Sequence, residues 1–219
     1  MRRDLTTSVI AIVVFSVLFG LVYPFAMTGI SQVVFPGRAN GSLLRAGDTV
    51  IGSRLIAQPF AKPVIGKNGK PETNSSGQPV LAPDPAYFQP RPSTATEYNA
   101  AASSFTNLGP NTAVARDTFK ASLAGYLKLE RPYNPGLSAS QVPVDAVTSS
   151  ASGVDPEISV ANADIQAHRI AAIRHLPMVT VKRLISENTN SRFLGVLGEP
   201  GVDVLDLNLA LNRLTGRPR

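Results

Sequence analysis

The sequence predicts an α+β fold: a single N-terminal transmembrane helix followed by one extracytoplasmic mixed α/β domain. Three observations carry this. No charged residue stands between Asp4 and Arg38. Helical apolar periods recur in the second half of the chain, at 113–129 and 158–176. Between the anchor and the first of these, short strand-like runs alternate with turn-forming Gly, Pro, Asn and Ser.

The anchor comes first. From Leu5 to Tyr23 the chain is almost continuous Val, Ile, Leu, Phe and Ala. As a helix this run is about 28 Å long, close to the hydrocarbon thickness of a bilayer. Inside lipid its backbone groups must satisfy one another, which a helix achieves. Arg2 and Arg3 flank it, so the positive-inside bias places the N-terminus in the cytoplasm and the bulk of the chain outside. The rival reading is a cleaved signal peptide, for which the run is long and Ala26 and Thr28 make a poor site. Pro24 is expected to bend or end the helix. Phe25 to Phe35 stays apolar and is expected either to extend the helix or to lie against another membrane subunit, the alternative being an interfacial extension that touches only lipid. Gly20 and Gly29 interrupt the bulky residues and are candidate points of close helix approach. The domain boundaries read from this are 1–38 for the anchor and its interfacial extension and 39–219 for the extracytoplasmic domain.

Pro36-Gly37 marks a turn, and Val50–Gln58 reads as a strand. Pro59 to Pro92 reads as a long irregular region of turn chemistry, with no internal repeat evident. A helix is expected over Ala113–Leu129, stopped by Arg131-Pro132. A second, amphipathic helix is expected over Ile158–Leu176, with Ser159 as N-cap and Pro177 as terminator. Its polar side would carry Asp164, Gln166, His168, Arg169 and Arg174. Val179–Ile185 begins another helix or strand, and Leu205–Leu214 suits a helix better than a strand.

Composition excludes several functions. Without cysteine there is no disulfide, thiolate nucleophile or zinc–thiolate site. Setting aside Arg2, Arg3, Arg38 and Asp4 leaves 18 basic against 14 acidic residues, spread without a run, so no nucleic-acid partner is expected. Neither a P-loop nor a G-x-G-x-x-G is present, nor H-E-x-x-H or G-x-S-x-G. The two histidines, His168 and His175, would lie about 10 Å apart along a helix, too far to share a metal. No catalytic residue and no metal ligand is assigned.

Short strings stand out instead: Gly20-Leu21-Val22-Tyr23-Pro24, Gln32-Val33-Val34-Phe35-Pro36, Ala39-Asn40-Gly41-Ser42-Leu43, Tyr87-Phe88-Gln89-Pro90-Arg91-Pro92-Ser93, Thr106-Asn107-Leu108-Gly109-Pro110, Val142 through Ser159, Leu197-Gly198-Glu199-Pro200 and Asn208-Leu209-Ala210-Leu211. In this order behind one anchor they closely resemble the C subunit of the Kdp potassium-transporting P-type ATPase. The resemblance implies a small accessory subunit of a potassium pump in a bacterial cytoplasmic membrane. Its implied partners are a channel-like potassium-conducting subunit, a P-type ATPase subunit and a small single-span subunit, besides membrane lipid. ATP and Mg would be used in another subunit, since this chain lacks D-K-T-G. Asn40, Arg91, Asn107 and Asp145 are the polar members of these strings, expected either to lock turns or to contact a partner. The family further implies a nucleotide role for Thr148, Ser152, Gly153 and Gln166. With the N-terminus inside, those residues would face away from cytoplasmic ATP, and Thr148–Gly153 also reads as a Ser/Thr turn before a helix. An independent membrane-tethered binding protein or hydrolase is the alternative to the subunit reading.

Overall fold

The computed structural model describes residues 2–93, 103, 104 and 106–216; Met1 and residues 217–219, the outer ends of the two expected domains, lie outside the described residues. The chain divides into two compact units, Met1–Ser53 and Arg54–Arg219.

In the first unit, α1 (Arg2–Val17) and α2 (Tyr23–Val34) form one continuous apolar helix of 33 residues, joined by a π-helical turn at Leu18–Val22. Pro24 neither ends this helix nor interrupts it. A proline lacks the N–H that would bond the carbonyl four residues back, and its ring strikes that carbonyl. Here that position is Gly20, within the π turn, where the wider i→i+5 pattern takes up the misfit: Tyr23 N–H donates to Leu18 O. At the start of α1 the hydroxyls of Thr6, Thr7 and Ser8 donate to the carbonyls of Arg2, Arg3 and Asp4, so these polar side chains are satisfied within the helix. One short turn, α3 (Pro36–Ala39), follows, and then the antiparallel pair β1 (Leu43–Ala46) and β2 (Thr49–Ser53). The strand expected over Val50–Gln58 stops at Ser53; beyond it Ala57 N–H donates to Val154 O, in a different part of the fold.

The second unit opens with an arm that corrects two expectations. Strands β3 (Ala61–Pro63) and β4 (Leu81–Pro83) pair antiparallel. Between them lie two tight hairpins related by a shift of eight residues. Gly66-Lys67-Asn68-Gly69-Lys70-Pro71 matches Asn74-Ser75-Ser76-Gly77-Gln78-Pro79 in conformation. Gly69 and Gly77 both take φ near +75° (75° and 76°), and Gly69 and Gly77 N–H donate to Gly66 and Asn74 O. The Asn68 and Asn74 carboxamides brace the turns by accepting from Lys70 N–H and from Ser76 and Gln78 N–H. The hairpins meet β3 and β4 at a closed triangle: Glu72 N–H to Val64 O, Val80 N–H to Glu72 O, and Val64 N–H to Val80 O, at 2.8, 2.7 and 2.8 Å. The region is thus ordered by backbone pairing, and the repeat is one of turn geometry more than of residue identity. Pro63, Pro71, Pro79 and Pro83 stand along its strands, where missing donors deter pairing with another chain.

The core lies further on. α4 (Ala113–Glu130) has Thr112 as N-cap, its hydroxyl accepting from Ala115 N–H. Its expected apolar stripe is buried only toward the end; Val114 and Phe119 are exposed while Leu127 is buried. A three-stranded antiparallel sheet of order β5-β7-β6 joins β5 (Glu157–Ser159), β7 (Gly201–Asp203) and β6 (Thr189–Asn190). Ile158 pairs with Val202 and both are buried. Helices α5 (Val160–Arg174), α6 (Met178–Glu187) and α7 (Val204–Thr215) supply Ala163, Ile170, Val181, Ile185, Leu207 and Leu211 to this core. Ser159 caps α5 through Asn162 N–H, and the helix ends at His175 in the left-handed conformation.

Candidate functional site

The Pro85–Gln89 segment runs through the core in a form that ordinary sheet pairing does not provide for. Its backbone is bonded by helix-borne side chains. The Asn208 carboxamide of α7 accepts from Phe88 N–H and donates to Phe88 O, both at 2.9 Å. The Gln166 carboxamide of α5 does the same for Gln89, at 2.7 and 3.0 Å. Successive residues of an extended chain direct their backbone groups to opposite sides, so two helices can each pair with one of them. Arg169 donates to Pro85 O and to Tyr87 O, and Arg174 donates to Ala86 O. Arg174 also stacks over the Tyr87 ring, 4.6 Å from its centroid, and Phe60 stacks on the same ring with centroids 5.4 Å apart. Each carbonyl from Pro85 to Gln89 is therefore matched by a side-chain donor.

Behind this segment lies a buried polar network. Arg169 and Glu130 are both fully buried and bond at 2.9 Å through Nε and Oε1. Burial pushes the Glu130 carboxyl up, against the opposing pull of the Arg169 charge. Tyr126 donates to Asn162 Oδ1, which also accepts from Gln166 Nε2; burial, with Glu130 close by, raises the Tyr126 phenol further above its usual range. Gln166 Oε1 accepts from Arg169 Nη2 as well as from Gln89 N–H. All four hydrogen-bonding positions of the Gln166 carboxamide are occupied inside the protein.

The Thr148–Gly153 string is held by a second cation. Arg91 donates to Thr148 O and Oγ1, to Ser149 O, and to Asp155 Oδ2 at 3.1 Å. Ser93 and Ser103 hydroxyls donate to the carbonyls of Gly153 and Ser152. Within the string, Gly153 N–H donates to Ser150 O, Val154 N–H to Ser152 Oγ and Asp155 N–H to Ser150 Oγ. These are donors that a phosphate-cradling loop would turn outward. Gly153, at φ 71°, supplies the left-handed step that closes the turn.

Asp145 accepts from Ser159 N–H, Ser159 Oγ and Asn162 Nδ2, at 2.9, 2.8 and 3.0 Å, and so fixes the start of α5. Asn40 and Gln32 exchange carboxamide bonds at 3.0 and 3.3 Å, and Asn40 also donates to Pro36 O, tying the turn after the long helix back onto it. Asn107 is exposed and takes φ 50°. Gly20 and Gly29 each face open space: an added Cβ would meet nothing within 4 Å. Leu5, Tyr23 and Pro24 all lie on the long helix, whose side chains are uncovered. His168 is exposed and lines an open groove of about 560 Å³ with Asp164 and Lys182; His175 is exposed at the end of α5. Among the described residues no group of three His, Asp or Glu could hold a metal ion.

The structure thus brings Arg91 to Thr148, Ser149 and Asp155, and Gln166 to Gln89, while Asn40, Asn107 and Asp145 lie at separate turns. Sequence reasoning missed Glu130, Arg169, Arg174 and Asn208 as the frame of the site, having placed Arg169 and Arg174 on a solvated face. One signal was present: Asn162, Gln166 and Arg169 recur at i, i+4 and i+7, a polar stripe on the side that Ala163, Ala167 and Ile170 share.

A long apolar N-terminal helix that is a candidate membrane span, followed by a sheet-containing domain whose buried polar side chains bond mostly within the fold, places the chain in the class of α+β proteins with one candidate span among the described residues. Comparison with known proteins makes this specific. Residues 5–213 match the family model described as KdpC, the K+-transporting ATPase c chain. The chain is 41% identical over 214 residues to the potassium-transporting ATPase KdpC subunit of Beijerinckia indica, covering 97% of this chain and 94% of that one. It is 43% identical over 215 residues to the protein of the same name from Mycobacterium tuberculosis strain H37Rv, covering 98% and 100%. With that of Bradyrhizobium diazoefficiens it shares 41% over 219 residues, covering 99% and 100%. The chain belongs to the KdpC family.

Proposed function

We propose that this chain is a non-catalytic accessory subunit of an ATP-driven, high-affinity potassium-uptake pump, needed for assembly of the complex or for coupling potassium transport to ATP hydrolysis. The observation that carries this reading is family membership along almost the whole chain. ATP and Mg act in a P-type subunit and potassium passes through a channel-like one, with a small single-span subunit as a further partner. The long helix sits in the bacterial inner membrane with its N-terminus in the cytoplasm, which Arg2 and Arg3 support. The use of Gln166 and of the Gly153, Val154 and Asp155 N–H groups inside the fold supports a structural role for the family-implied nucleotide strings. A domain of this kind couples by contacting two conformations of the pump unequally, which shifts their balance without bound nucleotide.

The test is to purify the complex with and without this chain. The expected result is no ATPase activity from the chain alone, and loss of potassium-stimulated ATPase activity from the complex lacking it. Normal assembly and normal potassium-stimulated turnover without the chain would overturn the proposal and leave a membrane-tethered binding protein or hydrolase. For orientation, Asn74→Cys at an exposed turn should react with an impermeant thiol reagent in intact cells; labelling only after lysis reverses the topology and reopens a nucleotide role.

A further inference from the structure

Between β6 and β7 the chain forms a narrow apolar finger. Phe193 and Leu197 form an isolated antiparallel bridge, with Leu194, Gly195 and Val196 at the tip. The four large side chains are 69%, 78%, 73% and 57% exposed for Phe193, Leu194, Val196 and Leu197. At its base Arg192 and Glu199 pair at 2.7 Å, so the finger carries no net charge. Leu194 sits at φ 52°, a conformation that a bulky residue rarely adopts. A strained leucine left in solvent gains nothing from the domain's own core, and such outliers concentrate at functional surfaces.

We infer that this finger inserts into the interfacial region of the bilayer that holds the chain's own anchor. Four observations point to lipid. The N–H groups of Phe193, Gly195, Val196 and Leu197 all donate within the turn, to Leu197, Arg192, Phe193 and Phe193 carbonyls. Groups already paired within the turn need no partner from the surface they enter, which lipid could not supply; Leu194 N–H, which is not paired there, is placed by interfacial seating within reach of headgroup water. The apolar span from Phe193 to Leu197 is short, well below the 20–30 or so residues per side of a stable protein–protein interface. Interfacial insertion requires no such area when a tether holds the segment near the membrane. Arg54 begins the second unit only about twenty residues beyond Val34, a reach of at most roughly 70 Å. Finally, the paired base lets Arg192 and Glu199 remain at headgroup level while the apolar tip goes deeper.

The absence of cysteine makes the test direct. The full chain is placed alone, one copy per disc, in phosphatidylcholine nanodiscs, and Val196→Cys carries an environment-sensitive fluorophore. Nitroxide-labelled lipid should quench this probe, as it quenches one at Phe15→Cys in the long helix, and should leave one at Asn68→Cys on the arm unquenched. Adding Leu194→Asn, which suits the left-handed turn while removing the apolar tip, should shift the inserted population toward the free one by about tenfold without lowering Tm. A Val196 probe quenched only from water, beside a lipid-quenched Phe15 probe, would overturn the inference. Shielding that arises only when other pump subunits are added would equally overturn it, in favour of a protein pocket. A Phe15 probe that escapes lipid quenching would remove the anchor and the inference together.

Discussion

The Gln166 side chain holds the backbone of Gln89 at both its N–H and its C=O, standing in for a neighbouring strand. The same carboxamide also receives Arg169 and donates to Asn162, so one side chain of α5 joins the threaded segment to the buried ion pair. A residue this fully committed has no capacity left for a ligand unless the core opens.

Gln166→Leu should destabilise the domain by about 2–4 kcal/mol, because a buried backbone N–H and C=O lose their partners together. Urea unfolding followed by circular dichroism measures this. The same variant, at temperatures where it is folded, should support the potassium-stimulated ATPase activity of the complex at an unchanged KM for ATP. A raised KM for ATP with unchanged stability would assign Gln166 to nucleotide after all.

Asp145→Ala should cost about 1–3 kcal/mol, since Ser159 N–H, Ser159 Oγ and Asn162 Nδ2 lose their acceptor at the start of α5. Asp145→Asn, which keeps one acceptor oxygen, should fall between wild type and Ala. Thermal denaturation of the three proteins orders them. Equal Tm values with failed assembly would place Asp145 at a subunit contact instead.

Asp203 gives stability a pH dependence of unusual sign. Burial raises its carboxyl from 3.8 to about 6; the Asp206 N–H bond opposes this, and the Asp206 charge and Glu157, its cross-strand partner on β5, add to it. A folded-state pKa above the unfolded one contributes stability that is fully present below about pH 4 and is lost as pH rises through about 6. The loss is on the order of 2–3 kcal/mol. Glu130 is raised as well and adds in the same direction. Asp203→Asn preserves a good N-cap while removing the titration, so its stability should vary less between pH 4 and 7 than that of the wild type. Urea midpoints across that range test this; parallel pH curves would refute the assignment.

In the anchor, Gly20→Leu and Gly29→Leu each project a side chain into space that is open in the isolated chain. Membrane insertion should be unchanged. Where a partner helix approaches, the larger residue should weaken association, read as reduced co-purification of the other subunits in mild detergent. Full complex at normal stoichiometry from both variants would make these glycines lipid-facing.

Much was legible in the sequence because it depends on near neighbours. The uncharged run fixes the long helix, since no other single-span structure satisfies such a backbone in lipid. Ser159, read from the sequence as an N-cap, starts α5 by chemistry that acts over three residues; Thr112 and Asp203 start α4 and α7 in the same way but were not read as caps. Pro177, read as a terminator, follows the end of α5 at His175 in the same local way.

What only tertiary structure decided depends on groups far apart in the chain. Arg169 looks like a surface residue until Glu130, 39 positions away, and Pro85, 84 away, take its donors. Phe88 and Asn208, 120 apart, acquire their partnership only when α7 docks. The period-eight arm escaped notice because its two turns share only Gly69/Gly77 and Pro71/Pro79 while their other residues differ, and because its closing triangle forms between strands. Pro24 passes through a helix because the preceding turn widens, a response of the backbone that residue preferences do not encode. The sequence determined where the chain is apolar and where its helices begin; the fold determined which polar groups leave water, because burial of a charge is settled by the partners that distant segments bring to it.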